Sequence, residues 1–416
     1  MRLPGWPAVV GIGAILALGS FGAYVFWRKH EFRDIRGSSS VEFVTTRAAA
    51  TGSPREGLAW PRYGFDLAGT RSAPYPVRPP FRRLWTFNNN QTLLEFPPAV
   101  AYGRLFLPTW NGRFLALDAN TGHVLWRRQS GRCGWGTPAV WRRLVITTYI
   151  GHKCASPIPG TDGEVMAYSQ ESGEVRWRFN LGPCESSPLV VRSLVYVGDW
   201  HGNVYALNAW SGKPRWVFKA RGAVKGSLSY ADGHVFIGSY DGHVYALDAR
   251  TGKQVWRASA QQRLGPTGWF YSSPAVAYGR IYIGSTDGKV YSFGARSGKL
   301  RWSYTTGGYV YASPAVWRGV VLVGSYDHVF YAFDAATGAV RWRFRANGQI
   351  SGSASVVNGI VYFSTFGRRT YGLDARTGRQ VWNLPDGEYT PVVADSARLY
   401  VVGYRRVFAF AQRAPS

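Results

Sequence analysis

One short motif recurs along this chain and restricts the folds that the chain can adopt. The motif reads Asp/Asn-Ala-x-Thr/Ser-Gly-x-x-x-Trp, as in DARTGKQVW ending at Trp256 and DAATGAVRW ending at Trp342. The motif, its altered copies and one isolated tryptophan place indoles at eight positions: Trp85, Trp126, Trp177, Trp216, Trp256, Trp302, Trp342 and Trp382. A period of about 40 residues is that of one four-stranded β-propeller blade. We therefore expect these tryptophans to be structural and to pack between blades.

Each repeat has the pattern of four short strands joined by tight turns. In the fifth repeat the strands are predicted at residues 273–278, 280–285, 289–295 and 299–304. Glycines between them, such as Gly279 and Gly288, allow the positive φ angles that hairpin turns need. Alternating apolar residues such as Ile281 and Ile283 fit strands whose faces pack against neighbouring blades.

The two ends of the repeat region complement each other. Residues 390–411 supply three strands without the Trp motif, and residues 81–87 supply one isolated strand. Together they make an eighth blade, and such closure removes free sheet edges. We therefore predict an all-β, eight-bladed β-propeller of four-stranded blades, closed by its N-terminal strand. Two longer intervals hold inserted loops at residues 149–164 and 260–272.

An apolar stretch precedes the repeats. Residues 6–27 carry no charged side chain, and Trp6 and Trp27 stand at the ends, where aromatic rings prefer the membrane interface. A cleaved signal peptide is the alternative, but suitable small residues are missing at the end of the stretch. We expect one transmembrane helix. The predicted organisation is a short tail (1–5), an anchor (6–27), a linker (28–60), a lead-in (61–80), the propeller (81–411) and a C-terminal tail (412–416).

The charge is strongly positive. Lys and Arg number 49 against 23 Asp and Glu, a formal net charge of +26. The basic residues are scattered and form no basic tail, so we expect no nucleic-acid partner, although an anion-binding surface is an open alternative. Arg28, Lys29, Arg33 and Arg36 follow the apolar stretch, whereas only Arg2 precedes it. The positive-inside rule therefore places the propeller in the cytoplasm.

The repeat VYALDARTGKQVW (244–256) and its near copies resemble the pyrroloquinoline-quinone-like (PQQ-like) repeat. That resemblance implies eight-bladed propellers of two kinds: quinoprotein alcohol dehydrogenases and a non-catalytic outer-membrane assembly lipoprotein. The dehydrogenases imply PQQ, a calcium ion, a catalytic Asp and two adjacent cysteines. This sequence has no adjacent cysteines, and no position here can be matched to the catalytic Asp.

We therefore favour the scaffold kind, a monomeric, membrane-anchored, non-catalytic propeller with a protein or cell-envelope polymer as partner. No cofactor is expected. Because most members of the family lie outside the cytoplasm, the resemblance places the propeller there, against the charge rule. The alternative is a quinoprotein-like or carbohydrate-active enzyme that uses PQQ or calcium.

Aligned positions just before the first strand of each blade are expected to ring one mouth of the central channel. They are Glu95, Trp135, Glu185, Lys225, Tyr271, Tyr311, Ser351 and Glu388. Carboxylates so close together raise each other's pKa or recruit a cation. The hypothesis is a site for a cation, a basic peptide segment or a sugar. The alternative is a solvated rim in which Lys225 pairs with a glutamate, and whether a metal binds stays open.

Three cysteines fall on the same face. Cys133 and Cys154 border the second blade, so we predict that they form a disulfide and leave Cys184 free. A Cys154–Cys184 bridge is the alternative. A bridge places the domain in an oxidising compartment, whereas three free thiols favour the cytoplasm.

Overall fold

The structure, a computed structural model, describes residues 33–45, 57–89, 93–152, 162–261, 268–389 and 391–413. The described ranges contain β-strands and no helix. The first seventeen strands are β1 (Leu58–Trp60), β2 (Ser72–Ala73), β3 (Phe81–Asn88), β4 (Ala99–Ala101), β5 (Arg104–Pro108), β6 (Arg113–Asp118), β7 (Val124–Gln129), β8 (Ala139–Trp141), β9 (Leu144–Tyr149), β10 (Gly163–Ser169), β11 (Val175–Leu181), β12 (Leu189–Val191), β13 (Leu194–Gly198), β14 (Asn203–Asn208), β15 (Pro214–Lys219), β16 (Ser229–Ala231) and β17 (His234–Gly238). The remaining strands are β18 (His243–Asp248), β19 (Gln254–Ser259), β20 (Ala275–Ala277), β21 (Arg280–Gly284), β22 (Lys289–Gly294), β23 (Leu300–Thr305), β24 (Ala315–Trp317), β25 (Val320–Gly324), β26 (Val329–Asp334), β27 (Val340–Arg345), β28 (Ser355–Val357), β29 (Ile360–Thr365), β30 (Arg369–Asp374), β31 (Gln380–Leu384), β32 (Val393–Ala394), β33 (Arg398–Val402) and β34 (Arg406–Gln412).

These strands form eight sheets, and the predicted all-β, eight-bladed propeller is confirmed. Blades one to seven each contain four strands that are consecutive along the chain, from β4–β7 in blade one to β28–β31 in blade seven. Blade eight joins β3 to β32–β34, with β3 antiparallel to β34. First strands of neighbouring blades contact one another, so they line a central channel. Buried Val, Ile, Leu, Phe and Tyr side chains fill the spaces between blades.

The repeated turn motif is explained by local hydrogen bonds. In blade four the Asp248 carboxylate accepts hydrogen bonds from the backbone nitrogen and the hydroxyl of Thr251. The next residue, Gly252, has a φ of +73°, which favours glycine. The same arrangement occurs at Asp118, Asp334 and Asp374. The Asp-x-x-Thr-Gly part of the motif therefore defines the turn between the third and fourth strands.

The repeated tryptophans connect each blade to the next. The indole nitrogen of Trp177 donates a 2.9 Å hydrogen bond to the carbonyl oxygen of Ala209, which follows the turn Asn208 of blade three. Equivalent bonds join Trp85 to Ala119, Trp126 to Gln170, Trp216 to Ala249, Trp256 to Ala295, Trp302 to Ala335 and Trp342 to Ala375. Trp382 instead packs edge-on against Phe81 and Phe410 of blade eight. The structure thus places all eight predicted tryptophans between blades.

Residues 58–73, here named the inner segment, run along the wall of the channel. Strand β1 pairs with β4 of blade one, and β2 pairs in parallel with β28 of blade seven. Between them, carbonyl oxygens accept hydrogen bonds of 2.7–2.9 Å from first-strand amides, namely Pro61 from Val140, Leu67 from Tyr230, Ala68 from Val276, Thr70 from Val316 and Arg71 from Val356. First strands would otherwise present unpaired amides to the channel. The sequence prediction treated residues 61–80 only as a lead-in and assigned them no contacts.

Residues 33–45, here named the outer segment, lie within the predicted linker and contact blades five and six. Arg280 donates hydrogen bonds to the carbonyl oxygens of Ser38, Val41 and Glu42. The Glu42 carboxylate forms an ion pair with Arg301. These contacts were not expected, because isolated charged residues in a polar stretch carry no periodic signal.

The predicted anchor, residues 6–27, lies outside the described residues. Within the described part of the chain, no helix is long and apolar enough to cross a membrane.

Candidate functional site

A cavity of about 390 Å³ opens at the channel mouth where the first strands begin. Seven of the eight positions expected at this mouth line it: Glu95, Trp135, Glu185, Lys225, Tyr271, Tyr311 and Ser351. In blade eight the neighbouring Tyr389 lines the cavity, while the Glu388 charge acts on Glu95. The structure therefore brings the predicted ring together, because equivalent loops of a propeller converge on its axis.

A ladder of hydroxyls connects the blades beneath this ring. The backbone nitrogen of Ser227 donates a 2.8 Å hydrogen bond to Ser273 Oγ in the next blade. The same link joins Thr137 to Ser187, Ser187 to Ser227, Ser273 to Ser313 and Ser313 to Ser353. Tyr63 of the inner segment bonds to Ser313 and Ser353 through its hydroxyl and also lines the cavity. A Ser before the aligned Pro of blades three, five and six was the available sequence signal for this ladder.

The three carboxyl groups at the mouth have raised pKa values. Burial, together with the charges of Glu185 and Glu388, raises the pKa of Glu95 to about 7. Burial also raises the pKa of Glu185 to about 7, although the nearby Lys225 ammonium and Trp200 indole oppose this effect. The pKa of Glu388 is raised by burial against the influence of Arg368. Glu95 and Glu185 are therefore partly protonated near neutral pH.

Lys225 is held among aromatic rings and one of these carboxylates. Its Nζ lies 3.5 Å from the ring centroid of Trp200 and 5.1 Å from that of Tyr240. The same atom is 3.9 Å from Glu185 Oε2. Burial lowers the pKa of Lys225, while Glu185 acts in the opposite direction. The pairing of Lys225 with a glutamate, which the sequence analysis gave as the alternative to a ligand site, is present together with cation–π contacts that the sequence did not predict.

A continuous row of rings, here named the aromatic collar, borders the mouth from blade four to blade eight. Its members are Tyr240, Trp269, Tyr271, Tyr309, Tyr311, Tyr326, Phe366 and Tyr389. Tyr240 stacks on Trp269 at 5.0 Å between centroids, and Tyr271 meets Tyr311 edge-on at 5.3 Å. Tyr309 is 53% exposed and Trp269 is 44% exposed. The collar is therefore a contact surface of large, amphipathic side chains.

Aspartates in the turns between second and third strands have structural roles. Asp241, Asp287 and Asp327 each accept a 2.5 Å hydrogen bond from a tyrosine hydroxyl four residues later. Asp199 accepts bonds from Gly182 and Asn203. These carboxylates stabilise the turns in which they lie.

A comparison with protein-family models matches residues 82–151, 161–309 and 306–414 to the family described as outer membrane protein assembly factor BamB. The matched segments cover most of the chain and all eight blades. The chain belongs to this BamB family of PQQ-like propellers. The predicted resemblance to the PQQ-like repeat is confirmed.

Curated relatives of this BamB-family chain match over short stretches. Quinohemoprotein alcohol dehydrogenase of Comamonas testosteroni is 35% identical over 95 residues, which are 21% of this chain and 13% of the dehydrogenase. Serine/threonine-protein kinase AfsK of Streptomyces griseus is 33% identical over 156 residues, 32% of this chain and 17% of the kinase. BamB of Nitrosomonas eutropha is 27% identical over 127 residues, 30% of this chain and 28% of that protein. The matches thus span less than a third of each of these relatives.

Solved structures extend the likeness to the whole propeller. BamB of Moraxella catarrhalis aligns with a TM-score of 0.67 and 17% identity, over 80% of this chain and 99% of that one. The Comamonas testosteroni dehydrogenase aligns with a TM-score of 0.72 and 14% identity, over 88% of this chain and 82% of that one. At such identities the likeness shows the fold alone.

The cavity of this BamB-family chain does not fit a quinone–calcium centre. PQQ is a tricarboxylate, and the mouth already holds three glutamates with raised pKa values. Lys225, the one ammonium among the described residues of the cavity lining, is already beside Glu185. In the described ranges no group of three or more His, Cys, Asp or Glu side chains is arranged to hold a metal ion. An added anion would meet like charge in a poorly solvated space.

The cysteines of this chain differ in state. Cys133 is disulfide-bonded, whereas Cys184 is free and fully buried. Burial raises the pKa of the Cys184 thiol far above its usual range, so the thiol is unreactive. Cys154 lies outside the described residues, and the Cys133–Cys154 pairing stays a prediction.

Proposed function

We propose that this chain is a membrane-anchored, non-catalytic binding scaffold that presents its channel mouth to a protein or other cell-envelope ligand outside the cytoplasm. The aromatic collar is the observation that carries the proposal. Tyrosine and tryptophan are enriched in the cores of protein interfaces, where they supply large contact areas at low entropic cost. Family membership supports the same role.

The propeller is built to hold this surface rigidly. Indole hydrogen bonds join successive blades at their outer strands, and the serine ladder joins them near the channel. The pairing of β3 with β34 supports a closed ring. Binding to such a preformed surface loses little conformational entropy.

The location outside the cytoplasm is supported by the state of Cys133. A disulfide persists in oxidising compartments and is rare in the cytosol. We propose residues 6–27 as the anchor and residues 28–32 as the start of the connection to the outer segment. The monomeric state is part of the same proposal.

Site-specific photo-crosslinking in the native membrane tests the binding surface. A photoreactive phenylalanine replaces Tyr309 in the collar or, as the control, Trp210 in a turn on the opposite face. Both side chains are 53% exposed, so the two positions are matched in accessibility. We expect a discrete crosslinked species from position 309 alone. Equal crosslinking from both positions, or none from position 309, contradicts the proposal.

An enzymatic role has a separate test. The purified chain is mixed with PQQ and calcium, and its absorbance and alcohol-dependent dye reduction are measured. We expect neither a retained quinone band nor dye reduction, because the acidic cavity repels the cofactor. Turnover that depends on PQQ would overturn the non-catalytic assignment.

A further inference from the structure

The Glu185 carboxylate lines the cavity, where the Trp200 indole and the Lys225 ammonium lie beside it. Only 8% of Glu185 is exposed, and its Oε2 atom is buried and accepts no hydrogen bond. Glu388 Oε2 is likewise buried and accepts no hydrogen bond. A buried carboxylate oxygen without a donor destabilises the folded chain, most of all when the group is charged. Such atoms indicate that a donor from outside the chain completes the site.

Lys225 shows what kind of donor this cavity accepts. Its ammonium lies over the Trp200 ring and 3.9 Å from Glu185 Oε2, longer than a hydrogen bond. One ammonium is therefore already accommodated by an indole and a carboxylate. Among the described residues that line the cavity, Lys225 is the one cationic side chain, and Arg368 acts on Glu388 from outside the cavity lining.

Three tyrosines of the cavity lining offer further rings to a cation. Tyr271, Tyr311 and Tyr326 line the cavity and contact one another at centroid distances of 5.0–5.3 Å. Cations bind the electron-rich faces of aromatic rings. The mouth thus combines carboxylates with rings, as expected of a binding site for an organic cation.

We propose that the cavity binds one alkylammonium or guanidinium group between the glutamates and the aromatic collar. The proposal rests on the binding role proposed above and names the chemistry of the ligand. A long polycation is disfavoured, because the chain itself carries a net charge of +26.

The binding should depend on pH through the three carboxyl groups. The three carboxyl groups face one another. Lys225 and Tyr240 lie beside Glu185, and Tyr271 lies beside both Glu95 and Glu185. Arg368 and Tyr389 lie beside Glu388. A cation favours the ionised carboxylates, so its affinity should rise as pH increases through about 7, the pKa of Glu95 and Glu185. Binding of the cation should therefore release protons from these carboxyl groups.

Isothermal titration calorimetry of the full chain in detergent micelles tests the proposal. The ligands are N-acetyl-lysine methylamide, n-butylamine and the neutral N-acetyl-norleucine methylamide, each at pH 6 and pH 8. We expect the lysine derivative to bind at least about tenfold more tightly than the norleucine derivative at pH 8, since roughly 1.4 kcal/mol corresponds to that factor. Weaker binding is expected at pH 6. If butylamine binds as tightly as the lysine derivative, the natural ligand is a small amine. If butylamine binds more weakly, the natural ligand is a side chain carried by a peptide.

Three variants separate the site from its surroundings. Glu185→Gln should weaken the lysine derivative about tenfold, and Lys225→Gln should tighten it, because the internal competitor is removed. Glu174→Gln is the control and should leave the affinity for the lysine derivative unchanged. The Glu174 side chain is 63% exposed and lies in a turn on the opposite face. Thermal unfolding confirms that each variant is folded.

Several outcomes overturn the cation proposal. They are equal binding of the lysine and norleucine derivatives, an unchanged affinity in Glu185→Gln, weaker binding in Lys225→Gln, or binding of N-acetylglucosamine in place of any amine. If crosslinking at position 309 persists in those cases, the scaffold role stands and only the ligand chemistry fails. Amine binding without crosslinking would contradict the protein-partner role instead.

Discussion

The indole nitrogen of Trp302 donates a 2.9 Å hydrogen bond to the carbonyl oxygen of Ala335 in the next blade. The same ring lies against Gly338, where an added Cβ would be 2.7 Å from indole carbon Cδ2. The Trp and the Gly of the motif therefore contact each other across the blade boundary, one repeat apart. This explains why both are kept in nearly every repeat.

Gly338→Ala should destabilise the propeller more than Gly319→Ala. Both glycines have positive φ angles, +72° and +74°, so both variants carry backbone strain of about 1 kcal/mol. Only position 338 adds a clash with Trp302, since nothing lies within 4 Å of a Cβ at position 319. The free energy of unfolding from urea denaturation measures the difference, which we expect to be about 1–3 kcal/mol. Equal losses in the two variants would show that the contact with Trp302 is unimportant.

Arg71→Met should loosen the inner segment. Arg71 is fully buried, donates hydrogen bonds to the carbonyl oxygens of Gly69 and Pro314, and lies over the Tyr63 ring. Its removal should cost about 2–4 kcal/mol. Hydrogen exchange should become faster at the amides of Val276 and Val316, which donate to this segment. The exposed Arg250→Met is the control, and unchanged exchange in Arg71→Met would show that Arg71 does not hold the segment.

The stability of the folded state should fall as pH rises from about 4.5 to about 7. Glu185 has a raised pKa in the folded chain, so the folded state binds more protons than the unfolded state in this window. Below the window both states are protonated, and above it the folded state contains a buried charge. The loss from this group is on the order of 3 kcal/mol.

Glu185→Gln removes this titration. Urea denaturation at pH 5 and pH 8 should show the variant gaining stability relative to the parent chain at the higher pH. A constant difference between variant and parent at both pH values would mean that Glu185 ionises normally.

Thiol mapping should find one free cysteine. Alkylation of the denatured, unreduced chain followed by mass spectrometry should label Cys184 and recover Cys133 joined to Cys154. The folded chain should resist labelling, because Cys184 is fully buried. Reduction should lower the free energy of unfolding by roughly 3 kcal/mol in the loop-entropy account. A labelled Cys154 would contradict the pairing and would mean that Cys133 is bonded to a cysteine of another molecule.

The periodicity of the sequence was sufficient to predict the fold. Because each blade is a local unit of about 40 residues, the Trp spacing determined the eight-bladed fold. Because equivalent loops of a ring converge on its axis, alignment alone placed Glu95, Glu185 and Lys225 at one mouth. The complementary ends, residues 81–87 and 390–411, identified the composite eighth blade.

Contacts between distant residues required the tertiary structure. The inner segment binds the channel wall through backbone hydrogen bonds such as that from Val276 to Ala68, and backbone groups have no sequence signature. The aromatic collar combines rings from five blades, so no local pattern reveals that they touch. The raised pKa values follow from burial, which depends on how the loops pack. The sequence by itself determined the number and order of blades, and only packing in three dimensions decided which side chains share a buried, weakly solvated cavity.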